Sequence, residues 1–286
     1  MEKEKSFVTK SLHRICKGIQ CLRQGDFRTI FEYFRHYIYE TRIYTTKGNR
    51  DLEIPTPLMH IDGLKIAVYS CITNEYDTIL EPIYDEPGID YFLFTDEEVL
   101  NGSKWKKIDI TKFKEYTELT PVQLNRKIKM LPFQYLPDYD YSIYIDGNIK
   151  IFAPLSPLIE EMGNHAFGVH YHRTRDCIYD ELVQVLYSKK AERAMAEQQI
   201  AVYKKEGFPH HFGLYENPIL IRKHNDEGVR NLMEAWWEEY TRYSTRDQLS
   251  LPYVIWKTGY DRGKIHIISK NLEENPRFKR VAHHKK

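Results

Sequence analysis

Three short runs of apolar residues alternate with helical patterns, and this alternation limits the folds open to the chain. The runs span residues 65–72, 91–95 and 141–145, and polar residues bound each of them. Strands that are apolar on both faces are typical of a parallel sheet covered by helices. Between the second and third runs, Thr120 precedes a proline and a helical pattern that reaches Leu131. This order predicts an α/β fold with a capped helix and right-handed crossovers.

The second half of the chain continues the alternation. Further strands are predicted at residues 166–170 and 218–222. Helices are predicted at residues 177–206 and 227–243, and a third opens near Arg246. We therefore expect a mostly parallel central sheet flanked by helices. The expected boundaries of this α/β domain are residues 61 and 272.

The two ends of the chain differ from this core. Between residues 11 and 44, apolar residues recur at intervals of three and four, which predicts an N-terminal extension of amphipathic helices within residues 1–60. That segment contains eleven Lys and Arg against seven Asp and Glu. It is expected to pack on the main domain or to contact an anionic membrane surface or a partner protein. Residues 273–286 are expected to form a basic, solvated tail, because residues 277–286 contain five Lys and Arg and no acid.

Composition excludes several classes of protein. The formal net charge is only +1, from 42 Lys and Arg against 41 Asp and Glu, so no global field favours nucleic acid. A hydrophobic fraction of 42% with 14% aromatic residues supports a buried core and excludes a disordered chain. No apolar run approaches the roughly 18 residues of a membrane span, and the first residues are charged. We therefore expect a cytoplasmic protein, with peripheral contact at the inner face of the cell membrane through residues 1–60.

The segment that follows the third strand carries the most informative motif, Asp146-Gly147-Asn148. Ligands of open α/β sheets bind beyond the carboxyl ends of the strands, so Asp146 is expected to face a substrate. Oxygen atoms of Asp146 and Asn148 could share a hard divalent cation with diphosphate oxygens. The same three residues also suit a hairpin turn. The motif alone leaves both interpretations open.

Seven ordered stretches place this motif in a wider pattern. They cover residues 67–77, 90–96, 125–132, 141–148, 170–181, 206–217 and 244–250. In these stretches the chain resembles the TOD/MUCI-type glycosyltransferase-like domain family. The resemblance implies a GT-A-like, nucleotide-binding α/β fold and the transfer of a sugar from a nucleotide-sugar. One plant member is linked to ceramide hydrolysis, so the resemblance leaves the reaction open.

Donor-binding residues are expected where the strands end and on the first helix of the core. Thr73 and Asn74 follow the first strand, and Asp96 follows the second, where a carboxylate can accept from ribose or base. Each could instead be a turn residue, and Asp96 could cap a helix. Arg126 and Lys129 share one helical face and could bind a diphosphate, or they could form a solvated basic face. Asp146 completes the predicted donor site.

The predicted cofactor is a divalent metal, Mn²⁺ or Mg²⁺. Asp146 and Asn148 match a variant of the DxD signature that the resemblance implies. A neutral amide in place of the second carboxylate weakens cation binding, so metal dependence is less certain than donor binding. A histidine from the second half could complete the site, and four are available: His210, His211, His224 and His266.

The acceptor and the catalytic base are expected to come from the second half. Six polar residues are predicted to bind an acceptor sugar: His170, His172, Arg173, Asp176, His210 and His211. The alternative is a polar surface loop. Tyr171, Tyr179 and Tyr215 are candidates for stacking on the sugar. Asp247 is predicted to be the catalytic base of an inverting transferase, or to position the acceptor or donor sugar in a retaining one. It could also be a charge that favours the start of a helix.

The sequence thus predicts a glycosyltransferase that uses a nucleotide-diphosphate donor such as UDP-galactose or UDP-glucose. The expected acceptor is a carbohydrate or a lipid-linked oligosaccharide, in the assembly of a bacterial surface polysaccharide. One alternative is a metal-assisted hydrolase of a lipid or glycoside, although neither a GxSxG nor an HExxH motif is present. The other alternative is a carbohydrate-binding protein without catalytic activity.

Overall fold

A computed structural model describes residues 63–84, 86–243 and 246–282, together with Thr56. This part of the chain is organised around a central sheet. Nine strands are found in these ranges: β1 (Ile66–Ile72), β2 (Ile89–Thr95), β3 (Lys106–Asp109), β4 (Tyr141–Ile145), β5 (Ile149–Ile151), β6 (Phe167–Tyr171), β7 (Tyr215–Lys223), β8 (Ile265–Ile267) and β9 (Phe278–Arg280). Seven of them form one sheet in the order β3-β2-β1-β4-β7-β6-β8. The predicted helices within residues 1–60 lie outside the described ranges.

Most neighbouring strands in the large sheet run parallel. β1 pairs in parallel with β2 and β4, β2 with β3, and β6 with β8. Strand β7 runs antiparallel to both β4 and β6. Because β7 is inserted between them, the carboxyl ends of β4 and β6 still point to the same edge of the sheet as those of β1 and β2. The structure confirms the predicted α/β class with a mostly parallel sheet.

Helices cover both faces of the sheet. In the described ranges they are α1 (Glu115–Glu118), α2 (Pro121–Met130), α3 (Pro132–Tyr135), α4 (Ser156–Met162), α5 (Ile178–Tyr187), α6 (Arg193–Lys205), α7 (Glu227–Arg242) and α8 (Asp247–Thr258). Helix α2 begins with a capping box in which the side chain of Thr120 accepts from the backbone of Gln123. The predicted helical region over residues 177–206 consists of two helices, interrupted where Lys189 adopts a φ of 53°.

Two apolar layers hold these elements together. On one face, Tyr69, Tyr144 and Trp236 belong to a cluster that packs the sheet against α2, α7 and α8. On the other face, Ile143 and Leu158 belong to a second cluster under α4. Residues of these clusters are buried nearly completely, so the sheet is a rigid support for the loops at its carboxyl edge.

The basic segment at the carboxyl terminus is packed against the domain as far as the structure describes it. The predicted solvated tail is therefore wrong for residues 277–282. β9 pairs antiparallel with β5 as a small second sheet, and the Phe278 side chain is 6% exposed. The guanidinium of Arg277 pairs with Glu161. Strand pairing, one large apolar side chain and an ion pair thus dock a segment whose composition alone indicates solvation.

Within the described ranges, none of the helices has both the length and the apolar character needed to cross a membrane.

Candidate active site

Polar side chains gather at the edge of the sheet where β1, β2 and β4 end. Thr73 and Asn74 follow β1, Asp96 follows β2 and Asp146 follows β4. Since these three strands are parallel neighbours, their carboxyl ends place the side chains side by side, as the sequence predicted. Helix α8 begins at the same edge with Asp247, because the side chain of Gln248 donates to the carbonyl of Tyr215 over 3.0 Å.

Asp146 is fixed by its own strand and by β7. Its backbone N–H donates to the carbonyl of Pro218 over 2.8 Å. The hydroxyl of Tyr144, two residues earlier on the same face of the strand, donates to its Oδ1 over 2.8 Å. The next residue must be a glycine, since a Cβ on Gly147 would lie 2.9 Å from Cγ1 of Ile72. The turn therefore holds the carboxylate in one position, with 27% of the side chain exposed.

The sequence Asp146-Gly147-Asn148 is not a hairpin turn. The strands on either side of it, β4 and β5, belong to different sheets. The turn instead carries the chain from the large sheet to the small one.

A buried lysine joins Asp146 to Asp247. The ammonium of Lys129 lies 2.8 Å from Oδ2 of Asp247 and 3.4 Å from Oδ1 of Asp146. It also lies 5.0 Å from the centre of the Tyr144 ring. Only 1% of Lys129 and 4% of Asp247 is exposed. The strand end, helix α2 and the start of α8 are thus connected by one buried network of charges.

Arg126 adds a second cation to this network. Its Nε lies 3.7 Å from Oδ2 of Asp247, and 20% of its side chain is exposed. Burial opposes the charge on Arg126, but Asp247 and Asp146 outweigh that effect and raise the pKa of the guanidinium. Burial likewise opposes ionisation of Asp247, but the cations Lys129, Arg126 and Arg246 hold the pKa of that carboxyl well below its usual range. Asp247 is therefore a fixed anion, and a weak acceptor of protons near neutral pH.

The backbone carbonyl of Lys129 is bound by a second buried cation, Arg222. Arg222, on β7, is fully buried and donates to the carbonyl of Lys129 over 2.7 Å. The hydroxyl of Tyr69 donates to the same carbonyl over 2.9 Å. The indole N–H of Trp236 donates to the carbonyl of Asp247 over 3.1 Å. Both ends of the Lys129 to Asp247 contact are therefore fixed by buried hydrogen bonds.

The predicted nucleoside residues form a small cluster of their own. Both carboxylate oxygens of Asp96 accept from the backbone N–H of Asn74, over 3.0 and 3.2 Å. The hydroxyl of Tyr116 donates to Asp96 over 3.3 Å. Asn74 and Glu75 adopt φ values of 55° and 51°, a conformation that non-glycine residues seldom take. Asp96 does not cap a helix, because the residues after it are not helical.

The residues predicted to hold a metal do not form a site for one. Asn148 is 4% exposed. Its side-chain amide donates to the backbone carbonyl of Val281 over 3.2 Å, and its backbone carbonyl accepts from the Val281 N–H. The ammonium of Lys129 stands beside the remaining carboxylate, Asp146. In the described part of the chain, no group of three His, Cys, Asp or Glu residues could hold a metal ion. Asp146 is thus a single carboxylate that already pairs with a lysine, and the described residues supply no further ligands beside it for a divalent cation.

None of the four candidate histidines joins Asp146. His224 follows β7, and its N–H donates to the carbonyl of Asp140, so it lies at the opposite edge of the sheet. His266 is on β8, with its ring centre 5.5 Å from that of His165. His211 lies in an exposed loop, where its Nδ1 is 2.8 Å from Asp176, and His210 precedes it.

The predicted acceptor residues separate into buried and exposed groups. His170 is 0% exposed within β6, and burial, Arg280 and His266 lower its pKa to about 3. Burial and Arg175 lower the pKa of His172 to about 3, and its Nδ1 accepts from the Arg175 N–H over 3.0 Å. The structure therefore places both histidines inside the fold instead of at an acceptor surface. The others are exposed at the carboxyl edge of β6 and in the loop before β7: Arg173, Asp176, His210 and His211.

A cavity of about 350 Å³ lies along β8, beside the end of β6 and the start of β7. Tyr171 and Tyr215 form part of its wall, with their rings 5.9 Å apart and 13° from parallel. Tyr171 is 43% exposed, and Arg262 also lines the cavity. An exposed aromatic face beside a guanidinium suits a sugar ring and its hydroxyls. Tyr179, the third predicted stacking residue, packs instead against the ring of His210 at 4.2 Å.

Sequence reasoning missed three residues of the charge network. Tyr144 lies in the predicted strand over residues 141–145 and is buried, but its hydroxyl also orients Asp146. Its position two residues before an aspartate, on the same face of the strand, was the available signal. Arg222 carried a signal as well, since a charge within an apolar strand needs a buried partner. Trp236 carried none, because its contact with Asp247 depends on how α7 packs against α8.

Comparison with known proteins identifies relatives of the whole domain. A sequence profile described as "TOD1/MUCI70, glycosyltransferase-like domain" matches residues 51–284. No curated protein sequence matches the chain.

Similar solved structures include the apo form of WbbM bifunctional glycosyltransferase, at 12% identity and a TM-score of 0.45, with 74% of this chain and 40% of that chain covered. This chain therefore spans less than half of that protein. Mouse xyloside xylosyltransferase 1, apo form, has 11% identity and a TM-score of 0.42, with 71% and 85% covered. The galactosyltransferase LgtC, in complex with donor and acceptor sugar analogs, has 11% identity and a TM-score of 0.39, with 70% and 72% covered.

Proposed function

This chain belongs to the TOD1/MUCI70 glycosyltransferase-like domain family, and we propose that it transfers a hexose from a nucleoside diphosphate donor to a carbohydrate hydroxyl. The proposed donor is UDP-galactose or UDP-glucose. The observation that carries the proposal is the network of Lys129 with Asp146 and Asp247 at the carboxyl edge of the sheet. A fixed set of charges at this edge suits a reaction in which negative charge develops on a leaving group.

The nucleoside is proposed to lie over the ends of β1 and β2. Asn74 is exposed there, and the half-buried Asp96 holds the loop in a left-handed conformation. A carboxylate beside exposed backbone can accept from ribose hydroxyls or from the imide of a uracil base. Thr73 fixes the same loop to α2, because its hydroxyl donates to the carbonyl of Pro121 over 3.3 Å.

The diphosphate is proposed to lie between this loop and Asp146, within reach of Arg126. In the transfer step, the bond between the anomeric carbon of the hexose and the phosphate oxygen breaks, and its electron pair leaves with the diphosphate. The acceptor hydroxyl oxygen forms the new bond to that carbon, and its proton passes to the leaving phosphate oxygen. Arg126 would stabilise the charge of the leaving diphosphate by charge-assisted hydrogen bonds.

Asp247 is proposed to position Arg126 and Lys129. The sequence offered two roles for it, catalytic base or positioning group. A carboxylate that is 4% exposed, 2.8 Å from an ammonium and of strongly lowered pKa is a poor general base. The geometry therefore supports a positioning role, but toward Arg126 and Lys129 and not toward the acceptor or donor sugar that the sequence suggested.

The acceptor is proposed to enter the cavity beside Tyr171 and Tyr215, at the same edge of the sheet. Arg173, Asp176 and His211 are exposed nearby and could bind further hydroxyls. The proposed biological role remains that expected from the sequence, the assembly of a bacterial surface polysaccharide on a carbohydrate or lipid-linked acceptor. Peripheral contact with the inner face of the membrane through residues 1–60 is part of this proposal. The sequence also predicted Mn²⁺ or Mg²⁺, but we assign no step to a metal because the residues do not fit one.

Thermal-shift measurements with UDP-, GDP- and CMP-sugars test the proposed function. A saturating UDP-hexose should raise the melting temperature by about 5 °C, since a ligand that binds only the folded state stabilises it. GDP- and CMP-sugars serve as matched controls for the base. If no nucleotide-sugar stabilises the protein, the proposed transfer is wrong. Cleavage of a ceramide or of a nitrophenyl glycoside by the same preparation would favour the hydrolase instead.

A further inference from the structure

Four charged side chains at the centre of the candidate site balance one another without a metal ion. Arg126 and Lys129 contribute two positive charges, and Asp146 and Asp247 contribute two negative charges, so the four side chains sum to zero. The positive charge of Arg246 also stabilises the ionised carboxylate of Asp247. Hard divalent cations bind carboxylate and other oxygen ligands. Both carboxylates of this set already pair with Lys129.

Lys129 stands at the position from which a cation would interact with Asp146. The side chain of Lys129 is 2% exposed, and its ammonium contacts both carboxylates. Lys129 is therefore a fixed internal cation and not a mobile surface charge. The hydrogen bonds to its carbonyl from Arg222 and Tyr69 hold its backbone in place. The other predicted metal ligand, Asn148, uses its amide to hold the carboxyl-terminal segment at Val281.

We propose that Arg126 and Lys129 replace the divalent cation, so that donor binding and transfer are independent of Mn²⁺ and Mg²⁺. Arg126, with 20% of its side chain exposed, contacts the diphosphate. Lys129 is a positioning residue that neutralises Asp146 and Asp247 and so prevents these carboxylates from repelling the diphosphate. This inference rests on the proposed function, because it concerns the charge of the same leaving group.

The inference predicts how the intact protein responds to metals and chelators. Isothermal titration of UDP into the wild-type chain should give the same Kd, within about twofold, in EDTA and in Mn²⁺. UDP binding that appears only with Mn²⁺ would overturn the inference and leave the proposed transfer intact. The absence of UDP binding under either condition would overturn the proposed function, and the inference with it.

A variant of Lys129 gives a readout that does not depend on activity. In Lys129→Met the carboxylates of Asp146 and Asp247 lose their cation, so Mn²⁺ should now tighten UDP binding by about tenfold. Lys129→Arg should remain insensitive to Mn²⁺ because it keeps the charge. Lys127→Met is the matched control, since Lys127 lies on the same helix and pairs with Glu115 at 2.8 Å, away from the site. Equal Mn²⁺ responses in Lys129→Met and Lys127→Met would contradict the role of Lys129. If Lys129→Met does not fold, the EDTA comparison on the wild type still decides the inference.

Discussion

The ammonium of Lys129 lies 2.8 Å from the carboxylate of Asp247, although the two residues are 118 positions apart in the chain. Both groups are almost fully buried. Removing water from two charges is costly, and their attraction offsets that cost only when both partners are present. The contact therefore links the folding of helices α2 and α8 to the assembly of the candidate site.

Loss of Lys129 should destabilise the protein strongly. In Lys129→Met two carboxylates lose their buried partner, so the free energy of unfolding should fall by about 3 to 5 kcal/mol. Lys127→Met breaks a more accessible pair and should cost less than about 1 kcal/mol. Urea unfolding followed by circular dichroism measures both variants. A loss below about 1 kcal/mol for Lys129→Met would show that the buried pair contributes little.

Tyr144→Phe should reduce activity more than stability. The variant removes the 2.8 Å hydrogen bond to Asp146 but keeps the ring in the core. We expect turnover to fall about tenfold and the free energy of unfolding to fall by about 1 kcal/mol. Initial rates and urea melts on the same preparation separate the two effects. Unchanged turnover would mean that Asp146 keeps its position without the tyrosine hydroxyl.

His170 should make the protein sensitive to acid. Its pKa in the folded state is lowered to about 3, whereas the unfolded chain binds a proton near the usual pH of 6.5. Between these values the unfolded state holds more protons, so stability decreases as the pH falls from about 6.5 towards about 3. His172 contributes in the same direction. Urea midpoints over this pH range should fall less steeply for His170→Leu than for wild type, while the exposed His210→Gln control should match wild type. Parallel pH profiles for wild type and His170→Leu would refute this assignment.

Replacement of Tyr171 should weaken binding of the acceptor and leave binding of the donor unchanged. Replacing it by alanine removes the exposed ring that stacks on Tyr215. With glucose or galactose as acceptor, Tyr171→Ala should raise the KM for the sugar by about tenfold and leave the KM for the donor unchanged. Tyr171→Phe keeps the ring and should retain most of the affinity. A change confined to the donor KM would place the acceptor elsewhere.

The positions of the strand-end residues could be predicted from sequence because they follow from local patterns. Short apolar runs define the strands, and parallel strands bring Thr73, Asp96 and Asp146 to one edge of the sheet. The capped start of α2 was visible at Thr120 for the same reason. Each of these features depends on a few consecutive residues.

Contacts between distant segments could not be predicted in this way. Arg126 and Lys129 were correctly placed on one helical face, but their pairing with Asp247 depends on the packing of α8. The burial of His170 depends on β8, a strand from the end of the chain that pairs with β6. Residues 277–282 were assigned to a solvated tail because charge is visible in a sequence, whereas the docking of Phe278 is not.

The most direct test of the account is the release of UDP from UDP-galactose or UDP-glucose without added acceptor, which measures slow transfer to water. The wild-type chain should release UDP, and both Asp146→Asn and Asp247→Asn should release it about 100-fold more slowly. Weaker UDP binding in Asp247→Asn, in step with its lost turnover, would fit the positioning role. Asp109→Asn, a substitution at the last residue of β3, where the side chain caps the helical turn Ile110–Lys112, should match wild type. Wild-type rates in folded Asp146→Asn and Asp247→Asn proteins would contradict the claim that this site transfers the sugar.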